Sequence, residues 1–253
     1  MDNIVFYFSG TGNSFKVAKT ISNELENCAI VSMAKPFSFT KQYDSIGFVY
    51  PVYFWGLPRI VIEFIKNINL KNNKNAYYYS VATYGGIAGN AVYQIYELLL
   101  NIHAIKLNYS QKLHMFANYV AAYDMSNKTE AITKKSNKKL IPIINAIKTK
   151  KNNKVSTLTK IFESMNKKFV ETVLDMDKDF SVNTNCTGCG LCKKMCPVHN
   201  IEMLNNKPQY KHHCEQCMAC IQFCPQKAIN YKNLTQNRRR YTNPEINRDE
   251  LAE

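Results

Sequence analysis

Eight of the nine cysteines lie in one segment of the chain, from Cys186 to Cys224, and their spacing restricts the fold more than any other feature. They form two runs with the same pattern, Cys-x2-Cys-x2-Cys-x3-Cys-Pro, which begin at Cys186 and at Cys214. Every element of the first run recurs in the second at a shift of 28 residues, the difference between 186 and 214. A repeat at a fixed shift indicates an internal duplication. The segment must therefore hold two equivalent sets of thiols.

Clustered cysteines can form disulfide bonds or bind metal. A disulfide framework is typical of secreted proteins, but no secretory leader is recognisable before the apolar residues that begin at Ile4. We therefore expect a cytoplasmic chain whose cysteines bind metal. Zinc motifs use two separated Cys-x2-Cys pairs, whereas three cysteines at x2 spacing can each reach a different iron of one cluster. The triplet followed by Cys-Pro, present twice, favours iron–sulfur clusters over zinc.

Residues 180–232 resemble the bacterial ferredoxins with two [4Fe-4S] clusters, in which the fourth cysteine of each run ligates the other cluster. The resemblance implies a small α+β domain. The ligands that it implies for one cluster are Cys186, Cys189, Cys192 and Cys224, and those for the other are Cys214, Cys217, Cys220 and Cys196. With all eight thiols assigned, His212 and His213 are expected to be solvated or to tune a cluster rather than to bind iron.

The amino-terminal part of the chain alternates strand-like and helical segments. Residues 3–9, 44–53 and 76–84 are too uniformly apolar for half-solvated strands and suit central strands covered on both faces, with 29–33 and 106–116 as two further strands. Segments of helical length and spacing lie between them, at Ser14–Leu25, Leu57–Ile68 and Asn90–Ala104. This alternation predicts an α/β fold with a doubly wound, mostly parallel, five-stranded sheet.

The loop after the first strand reads Ser9-Gly10-Thr11-Gly12-Asn13-Ser14. It lacks the third glycine of a dinucleotide fingerprint, because Phe15 stands there, and it lacks the Gly-Lys of a P-loop. A monophosphate could instead accept hydrogen bonds from backbone amides at the helix N-terminus and from the hydroxyl and amide side chains. The alternative is an ordinary glycine turn in which Ser14 caps the helix.

This loop resembles the phosphate loop of flavodoxins, and the resemblance covers residues 1–125. It implies an FMN whose ring lies at the carboxyl ends of the first, third and fourth strands. Trp55 and Tyr84, which follow two of these strands, are the candidates for stacking on the ring. The residues expected to bind FMN are Ser9, Thr11, Gly12, Asn13, Ser14, Pro51, Tyr53, Phe54, Trp55, Gly56, Thr83, Tyr84, Gly85, Gly86, Asn118 and Tyr119.

Together the two resemblances match the flavodoxin–ferredoxin fusion proteins of anaerobes. The expected organisation is a flavodoxin-like domain over 1–125, a basic helical linker over 126–179, a ferredoxin-like domain over 180–232 and a poorly ordered polar tail over 233–253. Within the linker, Pro142 is expected to bend or interrupt a helix.

The charge of the chain bears on its partners. The formal charge of +14, from 33 basic and 19 acidic residues, permits acidic redox partner proteins but identifies none. Free flavodoxins are typically acidic, so the resemblance does not carry over their choice of partner. No apolar stretch is long enough for a membrane span. Nucleic-acid binding is not expected as the main role, because Lys128–Lys154 and Arg238–Arg240 show little aromatic interleaving.

Two functions are compatible with these motifs. The first is electron transfer within the molecule, in which FMN exchanges one or two electrons and each cluster exchanges one. The second is a flavin-dependent reductase that takes electrons from the clusters and reduces a small organic substrate beside the flavin. A reductase would require a substrate pocket and a proton donor, for which the candidates are Tyr53, Tyr119 and Tyr123.

Overall fold

The structure is a computed structural model that describes residues 2–155 and 160–252. The chain divides into two compact units, each made of several segments. The first, here called the sheet unit, comprises Met1–Phe8, Ser14–Phe116 and Thr129–Val170. The second, the cysteine unit, comprises Ser9–Asn13, Ala117–Lys128 and Glu171–Glu253. The loop that follows the first strand therefore belongs to the unit that contains the eight clustered cysteines.

The sheet unit contains one parallel sheet, which confirms the predicted fold class. Its five strands are β1 (Asn3–Tyr7), β2 (Cys28–Ser32), β3 (Ser45–Pro51), β4 (Tyr77–Tyr84) and β5 (Tyr109–His114). The strand order is β2-β1-β3-β4-β5, which is the flavodoxin-like order of a doubly wound sheet. In such sheets ligands bind outside the carboxyl ends of the strands where the order reverses, which here is between β1 and β3.

The central strands are covered on both faces by helices, as their uniformly apolar composition predicts. Ile4, Phe6, Ile46 and Phe48 have no exposed surface. The helices are α1 (Asn13–Glu24), α2 (Arg59–Asn67), α3 (Ala91–His103), α4 (Thr129–Lys148) and α5 (Lys160–Thr172), and a short 3-10 helix lies at Lys71–Asn73. None of the helices in the described ranges combines the length and the apolar character needed to cross a bilayer.

The lysine-rich helix α4 packs onto the sheet unit rather than only connecting two domains. Leu140, Ile143 and Ile147 join the same apolar cluster as residues of β1, β4 and α1, while the lysines between them are exposed. Pro142 does not interrupt the helix, in contrast to one of the outcomes expected from the sequence. Pro142 lies on the exposed face, where water can hydrogen-bond to the carbonyl that lacks its usual N–H partner.

The cysteine unit is small and α+β, as predicted. A 3-10 helix (Val173–Asp179) precedes its elements, which are β6 (Phe180–Val182), α6 (Leu191–Lys194), β7 (Ile201–Leu204), β8 (Lys207–Tyr210), α7 (Ala219–Gln222), β9 (Ile229–Tyr231) and α8 (Arg248–Leu251). β6 pairs with β9 and β7 with β8, both antiparallel. α6 and α7 start 28 residues apart, at positions 191 and 219, and so do β7 and β9. The duplication seen in the sequence is thus also a duplication of structure.

The polar tail is packed, in contrast to the disorder expected from its composition. Tyr241 is only 5% exposed and Asn243 only 2%. Arg238 Nη1 donates a hydrogen bond to the carbonyl of Val120 at 2.6 Å, and the backbone N–H of Tyr241 donates to Gln222 Oε1 at 2.7 Å. Composition misled the prediction here because the polar side chains are themselves the groups that bind the rest of the unit.

Candidate cofactor sites

The first candidate site is a cavity lined by four thiols. Cys186, Cys189, Cys192 and Cys224 line it together with apolar side chains that include Ile229. Three of these cysteines come from the first run and the fourth comes from the second. The fold thus brings together the four residues that the ferredoxin resemblance assigns to one cluster.

The backbone around both cysteine runs follows the same unusual path. Gly188 and Gly190 have φ angles of 71° and 72°, in the left-handed region that glycine tolerates best. Their counterparts 28 residues later, Gln216 and Met218, have φ angles of 52° and 62° although neither is glycine. A left-handed residue with a side chain is strained by roughly 1–2 kcal/mol. The second run accepts this strain in order to place its thiols as the first run does.

Backbone N–H groups point at sulfur atoms of both sets. Asn200 N lies 3.3 Å from Cys196 Sγ, and its counterpart, Ala228 N, lies 3.3 Å from Cys224 Sγ. Such hydrogen bonds stabilise negative charge on the sulfur ligands and raise the reduction potential of a bound cluster.

The thiols are buried, and burial disfavours their charged form. Desolvation raises the pKa of Cys192 to about 11 and that of Cys214 to about 12. It raises the pKa of Cys217 and Cys220 well above the ordinary value, and the neighbouring thiols of the second set, including Cys196, act in the same direction. A bound group that supplies positive charge would offset this penalty. Both sets therefore fit an iron–sulfur cluster, whose irons would bind the sulfurs as thiolates.

The candidate phosphate loop, Ser9–Asn13, lies in the cysteine unit. Gly12 has a φ of 97°, and its N–H donates to Ser9 Oγ at 3.1 Å. Thr11 Oγ1 accepts a hydrogen bond from Asn118 Nδ2, which brings together two of the predicted FMN residues. Thr11 and Asn13 are almost wholly buried, at 1% and 8% exposure. Buried hydroxyl and amide groups around a turn at the start of a helix fit a phosphate ester.

Two other predicted FMN residues meet inside the sheet unit. Ser14 Oγ and Thr83 Oγ1 lie 2.9 Å apart, and both side chains are buried. Ser14 is in the first turn of α1 and Thr83 is near the end of β4. The hydrogen bond therefore fixes the start of α1 against the carboxyl edge of the sheet, where a flavodoxin-like fold binds its ligand.

The loop after β3, which begins beyond Pro51, forms a tight turn at the same edge. Tyr53 and Gly56 exchange two backbone hydrogen bonds of 2.9 and 3.0 Å. Phe54 and Trp55 at the tip of the turn both have positive φ, 46° and 63°. Glycine and asparagine usually occupy such positions, so this turn is strained. Strain held in a ligand loop is a common property of functional sites.

Two residues that the sequence analysis did not select hold this turn. Asn166 Nδ2 donates to the carbonyls of Tyr53 and Leu57 at 3.0 and 3.2 Å. Gln94 Nε2 donates to Asn166 Oδ1 at 2.9 Å, and Gln94 Oε1 accepts from Leu57 N at 2.7 Å. Asn166 is 1% exposed. The available signal was an asparagine on the apolar face of the helical segment that contains Phe162 and Phe169.

The aromatic rings of the turn pack against the same helix. The Phe54 ring stacks on Phe169 with 4.2 Å between centroids, and the Trp55 ring stacks on Phe162 at 6.0 Å. Tyr84 is half-buried and contacts the ring of His114 edge-on at 5.4 Å. His114 Nε2 lies 3.1 Å from the carbonyl oxygen of Gly85, whereas Gly86 is exposed and has open space around it. Stacking of Trp55 and Tyr84 on a flavin remains a prediction.

The last predicted pair, Asn118 and Tyr119, belongs to the cysteine unit. The carbonyl of Asn118 accepts a hydrogen bond of 2.7 Å from Gln222 Nε2. Burial raises the pKa of Tyr119 far above its ordinary value, and nearby groups that include Cys214 add to the shift. Among the predicted non-ligands, His212 Nδ1 lies 2.6 Å from Oδ1 of the buried Asp177.

Family models match both parts of the chain. Residues 4–101 match the model described as flavodoxin domain, and residues 178–225 match the model described as 4Fe-4S dicluster domain. No curated protein sequence matches the chain.

Solved structures with similarity to the chain include flavoproteins. A putative flavoprotein from Bacteroides uniformis is 20% identical, with 45% of this chain and 90% of that chain covered and a TM-score of 0.38. A flavoprotein in complex with FMN from Lactobacillus acidophilus is 13% identical over 44% of this chain and 92% of that chain, with a TM-score of 0.37. Rubredoxin oxygen:oxidoreductase from Desulfovibrio gigas is 14% identical over 59% of this chain and 36% of that chain, with a TM-score of 0.39.

The sheet order, the four-thiol cavity and the two family matches lead to one assignment. The chain is a redox protein that combines a flavodoxin domain with a 4Fe-4S dicluster domain, and its chemistry is electron transfer by flavin and iron–sulfur clusters.

Proposed function

We propose that this chain is an electron relay in which one FMN and two [4Fe-4S] clusters exchange electrons within a single molecule. FMN would supply a carrier of one or two electrons, and each cluster a carrier of one. Connecting them in one chain removes the diffusive encounter between separate proteins.

The observation that carries this proposal is the place of the phosphate loop. Ser9–Asn13 belongs to the cysteine unit, although both of its neighbours along the chain belong to the sheet unit. Gly10 lies so close to Cys217 that a Cβ at position 10 would be 2.4 Å from the Cys217 carbonyl oxygen. A flavin held through its phosphate would thus be bound by the same unit that holds the clusters.

The protein groups have separate roles in this relay. Ser9, Thr11 and Asn13 would bind the phosphate, and the turn after β3 would contact the ring. The two sets of four thiolates would bind the clusters, with Cys224 completing the first set and Cys196 the second. The N–H groups that point at Cys196 and Cys224 would tune the cluster potentials.

The reductase alternative is less well supported. It requires a side chain that gives up a proton near neutral pH. Burial raises the pKa of both Tyr119 and Tyr123, which makes these hydroxyls poorer acids than an exposed tyrosine. A relay needs no such group. Its partner would be a redox protein, and the charge of +14 favours an acidic one.

The test starts from protein purified without oxygen. We expect one FMN and about eight irons per chain, as two [4Fe-4S] clusters require. Selective photoreduction of the flavin, followed by absorption and electron paramagnetic resonance, should show electrons appearing on the clusters at a rate independent of protein concentration. Zinc in place of iron, absence of flavin, or a transfer rate proportional to concentration would overturn the proposal.

A further inference from the structure

The carboxyl-terminal segment is hydrogen-bonded to the candidate phosphate loop. Tyr241 Oη donates to Asn13 Oδ1 at 2.7 Å, and Asn243 Nδ2 donates to the same oxygen at 2.9 Å. The backbone N–H of Asn243 donates to the carbonyl of Thr11 at 2.8 Å. All of these groups lie in the cysteine unit. Neither family match extends to Tyr241 or Asn243.

These bonds determine which end of the Asn13 amide is available as an acceptor and which as a donor. Because Oδ1 accepts from both tail residues, the donor Nδ2 is on the other branch of the amide. An amide turned the other way would present oxygen where a phosphate needs a donor. Burial raises the pKa of Tyr241, so its hydroxyl stays protonated and remains a donor at neutral pH.

The tail also fixes the loop backbone. The carbonyl of Thr11 points to Asn243, so the N–H of the same peptide, that of Gly12, points the opposite way and meets Ser9 Oγ. Gly12 has no room for a side chain on the tail side, because a Cβ there would lie 3.0 Å from Asn243 Cβ. The tail and the loop are therefore closely packed.

One more residue connects this arrangement to the cysteines. Gln222, in α7 between Cys220 and Cys224, accepts from Tyr241 N at 2.7 Å and donates to the carbonyl of Asn118 at 2.7 Å. Asn118 in turn donates to Thr11 Oγ1. A continuous set of hydrogen bonds thus runs from the cysteine-bearing helix to the phosphate loop.

We propose that the tail is part of the flavin phosphate site, and that Tyr241 and Asn243 are positioning residues that orient Asn13 toward the phosphate of FMN. This inference rests on the proposed function, because it requires that flavin binds at this loop. It assigns a binding role to a segment beyond both matched domains.

The test compares FMN with riboflavin, which lacks the phosphate. The protein is stripped of flavin with its clusters retained, as verified by iron content, and titrated by anaerobic calorimetry with each flavin. Tyr241→Phe removes only the hydroxyl, and Asn243→Ala keeps both the Cβ and the backbone donor. We expect each variant to bind FMN about tenfold more weakly, the size of one hydrogen bond to a charged site, with riboflavin affinity changed less than about twofold.

A matched control is Tyr231→Phe, which removes a hydroxyl from another buried tyrosine of the same unit, one that bonds to Asp179 instead of the loop. It should leave the ratio of FMN to riboflavin affinity unchanged. The phosphorus resonance of bound FMN should shift in the two test variants and not in the control.

Each other outcome decides against the inference. An equal loss for both flavins, or no loss for either, would show that the tail has only a structural role or none. Tighter FMN binding in the variants would show that the tail competes with the phosphate. If the unaltered protein binds riboflavin and FMN equally, the positioning role fails while flavin binding stands. If it binds neither, the proposed function fails first.

Discussion

The backbone of Gly10 packs directly against Cys217, with space for no atom at the Cβ position: an added Cβ would lie 2.4 Å from the Cys217 carbonyl oxygen and 2.8 Å from its Cβ. Gly10 is not among the residues with positive φ, so glycine is needed here for the close approach and not for the backbone conformation. The contact joins the candidate phosphate loop to the second set of thiols. If the relay operates, the cluster bound by this set is the one nearest the flavin phosphate.

The first prediction concerns Gly10→Ala. The atoms that the new Cβ would meet are backbone and Cβ atoms, which cannot move without displacing Cys217. We expect a destabilisation of about 1–3 kcal/mol, typical of overpacking, together with partial loss of iron. Thermal unfolding and iron analysis measure the two effects. In the control, Gly86→Ala, the added Cβ meets nothing within 4 Å, and iron content should be unchanged. Unchanged iron and stability in Gly10→Ala would contradict the contact.

The second prediction concerns Asn166→Ala. The substitution leaves the buried carbonyls of Tyr53 and Leu57 and the amide of Gln94 without their partner. We expect a loss of about 2–4 kcal/mol of stability, because unsatisfied buried polar groups are costly. Since the affected turn is expected to contact the flavin ring, FMN and riboflavin should weaken equally, unlike in the tail variants.

Its control lies on the same helix. Lys167 is exposed, and Lys167→Ala should change stability by no more than about 0.5 kcal/mol. Thermal unfolding and flavin titration of both variants provide the comparison. A selective loss of FMN over riboflavin in Asn166→Ala would show that the turn acts at the phosphate and not at the ring.

The contrast between these sites shows what could be predicted from the sequence. The strands, their parallel order and the convergence of Cys224 on the first cysteine triplet follow from apolar runs and a repeated spacing, both of which are local patterns. The bond between Asn13 and Tyr241 joins residues 228 positions apart, and that between Gln94 and Asn166 joins residues 72 apart. A single polar pair leaves no periodic signal, so neither could be inferred before the fold brought the residues together.

The third prediction tests the exchange of the fourth ligand between the two runs. Cys224→Ala should release the cluster bound by the first triplet and leave the second intact. Alkylation followed by mass spectrometry should then label Cys186, Cys189 and Cys192, while the thiols of the second set stay protected. Cys196→Ala should give the reverse pattern. If each run served its own cluster, Cys224→Ala would expose Cys214, Cys217 and Cys220 instead.

The last prediction concerns Cys28, the one cysteine outside the two runs, which lies in β2. With eight thiols bound to iron, the native protein should offer a single reactive thiol to an alkylating reagent. Burial raises the pKa of Cys28, so the protonated form dominates at neutral pH and labelling is slow. Because the thiolate is the reactive form, the rate should rise about tenfold for each pH unit until the pH passes this pKa. Cys28→Ser should abolish labelling of the native protein, whereas denaturation without iron should expose nine thiols in the unaltered chain and eight in the variant. More than one labelled thiol in native Cys28→Ser protein of full iron content would mean that some of the eight clustered cysteines do not bind iron.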